Sequence, residues 1–400
     1  MVDDNLSISQ CGITSVQKNA VINSFIETQR LTLSQNKSVV LHIGNEKKCL
    51  NPCPKLKVHS HIMKSTKSQR YLGDIITSSG TVRETVEDRR NKGWGRVAEI
   101  SGILGQLPDI RKVEIGLKLR DAKLINGMIY STEAWSKISD KELTRLEQVD
   151  FALLRYIDHA HSKCSKAFLL LEFGVITFSH LIMIRRLMYH HHIISRDNKE
   201  TIKKIYRKQK QDQLKGDWYE TLMTDFDFIR EENNDERISK IPKEQYRNMI
   251  KRKVENEAFH YFLTLKEKSK KKMGHLKYTE LAIQPYLING QFTLNQIKLL
   301  FSLRSKCYPA KLNFRKLNRG NLKCVMGCIE DESQSHIFEN CEPLRKTLDQ
   351  HQQNISIEKI YGSVQDQKEA VLIFEQIDKQ RRKFINSDIL PGGVVARTQA

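Results

Sequence analysis

The residues best equipped for chemistry lie toward the C-terminal end, in the stretch CVMGCIEDESQSHIFENC. Cys324, Cys328, His336 and Cys341 there offer three thiolates and one imidazole, a set that matches the borderline softness of zinc. Four protein ligands close a tetrahedral site, which makes such a zinc structural rather than catalytic. Gly327 permits a tight turn between the first two ligands, whose three-residue separation is one longer than the usual two. A knuckle folded this way would bring Lys323, Arg345 and Lys346 close to phosphates. At the opposite end, MVDDNLSIS begins with the paired carboxylates Asp3 and Asp4. Two carboxylates at a strand end can hold magnesium through oxygen ligands, the arrangement that carries the ion to phosphates. Leu6 and Ile8 alternate with polar residues in the manner of a half-buried strand. The same residues also read as an unstructured acidic start.

Other polar groupings are weaker. Cys49 and Cys53 repeat the three-residue gap near His59 and His61, but a buried apolar role accounts for free cysteines of this kind. His190, His191 and His192 are consecutive, so on a helix they fan out at about 100° steps and cannot share one ion. Three basic runs stand out: DRRNK at 88–92, with Arg89, Arg90 and Lys92; KEKSKKK at 266–272, with Lys270, Lys271 and Lys272; and KQRRK at 379–383. Lysine and arginine contact phosphates without regard to sequence, and nearby aromatics such as Trp94 and Tyr278 would stack on bases. The run at 266–272 also has the composition of a nuclear import signal.

The elements that must position these groups follow from composition and period. A chain of 400 residues, 39% hydrophobic, can bury a core and suggests two to three domains at roughly 150 residues each. Its net charge of +20 favours a polyanionic partner, nucleic acid first. Neither an apolar run of about 20 residues nor a signal-peptide pattern is present, so an intracellular protein, nuclear or cytoplasmic, with reduced cysteines is expected. Up to residue 80 the pattern is mixed: a helix over SVQKNAVINSFIETQR, a strand at KSVVLHI, and another at RYLGDIIT ending in the turn Ser78-Ser79-Gly80. Beyond that helices dominate. Capping boxes are expected at Thr81–Glu84, Ser139–Glu142 and Thr293–Gln296, with Pro242 opening a further helix. Gly93 and Gly95 predict a weak point in the helix after Gly80. The fold class expected is therefore mostly α with a small α/β N-terminal remnant.

The order of these features resembles the C-terminal portion of a non-LTR (LINE-type) retrotransposon reverse transcriptase, an RNA-directed DNA polymerase. The resemblance rests on MVDD, on Tyr71-Leu72-Gly73, on LEQVDFALLRYI, LLLEFGVITFSHLIMIRRLMYHHHIISR and KGDWYE, and on the final Cys-Cys-His-Cys cluster. It implies that Asp3 and Asp4 match two catalytic, magnesium-binding carboxylates of the palm, although Met1 replaces the aromatic of the family motif. It also implies a partial palm over 1–80, a thumb-like helical region over 81–138, a basic helical connector over 139–320, a zinc knuckle over 321–346, and a C-terminal helix and tail over 347–400. The family's third carboxylate sits on an upstream palm strand, so the expectation is a truncated polymerase, inactive by itself, with magnesium bound only by a complete palm. RNA and single-stranded or target DNA are the expected partners. A zinc-stabilised nucleic-acid-binding protein without catalysis is the alternative.

Overall fold

The computed structural model describes residues 6–8, 12–30, 38–44, 56–58, 61–107, 111–268, 275–314 and 321–388. Asp3, Asp4, Cys49, Cys53, His59 and Lys270 to Lys272 lie outside them. Among the described residues the chain is mostly helical, with its strands confined to the N-terminal part.

Helix α1 (Gly12–Thr28) buries Ile26 but leaves Val16, Val21 and Phe25 exposed, so its apolar residues do not form one covered stripe. Strands β1 (Val39–Leu41), β2 (Lys57–Val58), β3 (His61–Ile62) and β4 (Lys64–Thr66) make two short ladders, β1 parallel to β4 and β2 antiparallel to β3. Residues 6–8 are not a strand, and both Leu6 and Ile8 are exposed. Period-two patterning becomes a strand only where a partner completes the ladder. Likewise RYLGDIIT is not one strand. β5 (Ser68–Tyr71) turns back as β6 (Asp74–Thr77) through Leu72 and Gly73, at φ of 45° and 90°. Two consecutive positive φ values make the tight hairpin loop whose twist matches that of the strands.

The next helix, α2 (Arg83–Gly105), lacks the expected capping box. Thr81 instead shares a hydroxyl contact with Ser79 at 3.0 Å, and uncapped Val82 occupies the N-cap. Nor does α2 break at its glycines. A Cβ on Gly93 would lie 2.7 Å from Met128 Sδ and 3.1 Å from Val149 Cγ1, so the missing side chain is what lets α2 lie close against its neighbours. Those neighbours are α4 (Asn126–Met128), reached through α3 (Lys112–Leu119) and a π-helical turn at Arg120–Ile125, and α5 (Asp140–Ile157). The Ser139–Glu142 capping box forms in full at the start of α5.

Helices α6 (Lys166–Phe173), α7 (Phe178–Ile194), α8 (Thr201–Asp212), α9 (Trp218–Phe228), α10 (Asp235–Ser239) and α11 (Lys243–Lys268) follow. Among the described residues no single helix is long and apolar enough to cross a membrane. The bent pair α6 and α7 is apolar because most of it lies inside the core. Helix α12 (Leu294–Arg304), opened by the intact Thr293–Gln296 box, α13 (Glu342–Arg345) and α14 (Val364–Asp388) complete the array. One hydrophobic core draws on side chains from Val86 to Ile377, and a second, from Leu187 to Val254, joins α7 to α11.

A buried carboxylate ties the main core together. Glu172 of α6 has no exposed surface and receives Arg304 of α12 at 2.8 Å, with the hydroxyls of Tyr278 and Tyr286 each at 2.6 Å. Arg304 also donates to the Ile360 carbonyl at 2.7 Å. The carboxylate's neighbourhood raises both phenol pKa values, burial first and the negative charge second.

Gly93→Ala should destabilise the protein by about 1–3 kcal/mol through overpacking. Gly95→Ala, with nothing within 4 Å, should stabilise it by about 0.5–1 kcal/mol. Urea unfolding of both variants checks the sign. Arg304→Met, which strands a buried charge, should cost about 3–5 kcal/mol in the same measurement.

Candidate metal centre

The four cluster residues approach one another from three short segments. Gly327, at φ of 85°, closes the turn between Cys324 and Cys328, where its N–H donates to the Cys324 carbonyl at 3.2 Å. His336 opens a π-helical turn (His336–Asn340) and its backbone N–H is held by Ser333 at 2.9 Å. Cys341 caps α13, whose Leu344 and Arg345 N–H groups donate to its carbonyl at 3.1 and 3.0 Å.

One ligand atom from each residue lies within 4.8 Å of all the others. Cys341 Sγ is 3.8 Å from Cys324 Sγ and 3.7 Å from Cys328 Sγ. Two sulfurs on a tetrahedron with bonds of about 2.3 Å stand about 3.8 Å apart, so the thiols already have metal-site spacing. His336 supplies the second test. It is buried, and neither ring nitrogen has a hydrogen-bond partner among the described residues. A buried imidazole without a partner is costly, and an ion at the cluster would satisfy one nitrogen. Burial raises the Cys328 and Cys341 thiols above their ordinary range, and the Cys324 sulfur pushes Cys341 the same way. A bound dication reverses this preference by stabilising thiolates. The Met326 N–H, 3.4 Å from Cys324 Sγ, is already placed to support negative sulfur. The cluster could therefore bind a metal such as zinc.

The surrounding shell is anchored in the main core. Glu332, fully buried, accepts from Arg381 of α14 at 2.6 Å, from the Val325 N–H at 3.0 Å and from the Lys311 N–H at 3.2 Å. Phe338 packs between Tyr308 and Phe374, at ring distances of 5.0 and 4.8 Å. The sequence carried no signal for Glu332, which looks no different from the neighbouring Glu330 and Asp331. Only the fold selects it.

The basic runs have mixed placements. Arg89 is inside the fold, 2.8 Å from Asp74, donating to the Gly73 and Gly127 carbonyls and lying over the Tyr130 ring. Arg90 pairs with Glu87 at 2.8 Å, and Lys92 with Asp88 at 2.8 Å while remaining half exposed. Trp94 is exposed on the same helix, whereas Tyr278 is committed to Glu172. In the run at 379–383, Lys379 pairs with Glu375, Arg382 with Asp378, and Arg381 with Glu332. Lys323 and Lys346, expected near phosphates, pair with Asp331 and Glu342, and Arg345 donates to the Phe338 carbonyl. The three histidines diverge as expected. His190 bonds Tyr206 and Asp235, His191 bonds the Ile241 carbonyl, and His192 lies beside Arg196.

No family model, curated protein or solved structure matches the chain.

Purified protein should carry one metal ion per chain, and Cys328→Ser or His336→Ala should remove it, as read by elemental analysis. Because the thiols must lose protons to bind, affinity should fall as pH is lowered.

Proposed function

We propose that the chain is a nucleic-acid-binding portion of a LINE-type reverse transcriptase, holding RNA or single-stranded DNA on basic helices made rigid by a zinc centre. The observation that carries this reading is a charge of +20 on a helical array that also sets a Cys3His cluster at tetrahedral spacing. Acidic residues fall 20 short of the basic ones, so the internal ion pairs leave a large positive excess for a polyanion. The hairpin at Tyr71-Leu72-Gly73 supports the ancestry. It is joined to α2 through Thr85, which bonds both the N–H and the carbonyl of Ile75, and through Arg70 to Asp88 and Arg89 to Asp74. Such a junction suits a segment leading from palm to thumb. Asp3 and Asp4 enter this proposal as the palm carboxylates by resemblance alone.

A non-catalytic binding protein is the second reading. It rests on the same positive excess and on the buried shell of the cluster, and it requires no polymerase chemistry.

Affinity for a single-stranded RNA should fall steeply with salt, the log–log slope growing by about 0.7 per phosphate neutralised. Replacing Lys270, Lys271 and Lys272 together by alanine should flatten that slope by about 2 if all three meet phosphates. Arg89→Ala should lower thermal stability instead and leave the slope in place. Binding insensitive to salt would defeat the proposal.

A further inference from the structure

Among the described residues the buried acids are partnered, with one exception. Asp150 receives Arg120, Glu172 receives Arg304, Asp225 receives Arg186, Glu332 receives Arg381, and Asp378 receives the Tyr308 hydroxyl, all at 2.6 to 2.8 Å. Asp158 is 1% exposed, and neither of its carboxylate oxygens has a hydrogen-bond partner among the described residues. It directly follows Ile157, the last residue of α5, where unpaired helix carbonyls already present negative charge. The groups that face it are the Glu172 carboxylate on α6, the Lys298 ammonium on α12, the Cys164 thiol from the connection between α5 and α6, and the Tyr286 hydroxyl. Burial first, and the Glu172 charge second, hold the Asp158 carboxyl well above the ordinary carboxylate range, with Lys298 acting the other way.

We propose that Asp158 is a built-in pH sensor: in the folded chain it keeps its proton at neutral pH, and losing that proton loosens the junction of α5, α6 and α12. An anion sealed from water needs hydrogen bonds or a close countercharge, and here the nearest carboxylate repels it. A shared hard cation does not answer the need. Such an ion takes several oxygen ligands, and those of Glu172 are committed to Arg304, Tyr278 and Tyr286. The neutral acid is therefore the form this packing accepts. An unfolded aspartate ionises at about pH 4, whereas the folded one holds its proton to higher pH. The site's contribution to stability is intact below about pH 4 and is lost as pH rises toward the folded-state value, the unfolding constant growing about tenfold per pH unit over that window. The sensor is independent of the metal centre and of any nucleic-acid surface.

Asp158→Asn keeps the shape and cannot ionise, so comparing it with wild type in the full chain removes the pH dependence of every other group. In urea unfolding, the ratio of the wild-type to the Asp158→Asn unfolding constant should climb about tenfold per pH unit above about pH 4. Hydrogen exchange, corrected for its intrinsic pH dependence, should open first at the end of α5 and in α6 as pH rises, in wild type and not in Asp158→Asn. A direct measurement on wild type does not depend on the variant's folding: with aspartate side-chain carboxyls labelled with ¹³C, one signal should keep the shift of a protonated acid at neutral pH. That signal should be missing from Asp158→Asn or Asp158→Ser, whichever folds. The proposal is overturned by a ratio of unfolding constants that stays level with pH, by exchange at the end of α5 that follows the same course in both proteins, or by wild-type aspartate signals that are all ionised at neutral pH.

Discussion

A carboxylate sealed from water dictates much of this architecture. Glu172 cannot be buried as an anion unless its oxygens are fully engaged, and the fold meets that requirement from three directions. Arg304 supplies the charge, and Tyr278 and Tyr286 supply hydroxyls from a segment more than a hundred residues away. Because Arg304 also reaches the Ile360 carbonyl, α6, α12 and the approach to α14 are fixed relative to one another. Such a pair is a poor source of net stability, since desolvating it consumes most of the Coulombic gain. Its effect is on arrangement: few alternative packings could satisfy the same four polar groups.

The metal cluster repeats this logic at smaller scale. Three thiols and an imidazole brought together without an ion would leave His336 unsatisfied and burial favouring the protonated thiols of Cys328 and Cys341. Glu332 and Arg381 carry the consequence outward, coupling the cluster's loop to α14 through a second buried ion pair. The metal segment is thus part of the main core rather than a separate knuckle hanging from it. An ion bound at the cluster would be felt at α14 through these contacts.

Charge illustrates a different constraint. Runs such as DRRNK and KQRRK look like phosphate-binding stretches in the linear sequence, but a helix distributes them around its axis and sets acids three or four residues away beside them. One residue of each run, Arg89 and Arg381, turns inward to a buried or half-buried carboxylate. A local run therefore says little about which cations meet solvent. The overall excess is different, because no arrangement of pairs can remove it.

What the sequence by itself determined was whatever rests on local chemistry. The Ser139 and Thr293 boxes formed as their spacing required and opened α5 and α12, and the soft-ligand set at Cys324, Cys328, His336 and Cys341 was legible because tetrahedral coordination needs those atom types within a short span. Tertiary structure decided the rest. Whether Leu6 and Ile8 join a strand depends on a partner that period two cannot supply, and whether Gly93 weakens or permits a helix depends on Met128 and Val149 pressing against it. The same holds for Glu332, one acid among several until Arg381 arrives from α14. Local propensity acts within a turn or two of helix, whereas burial and pairing depend on groups that only the closed chain brings together.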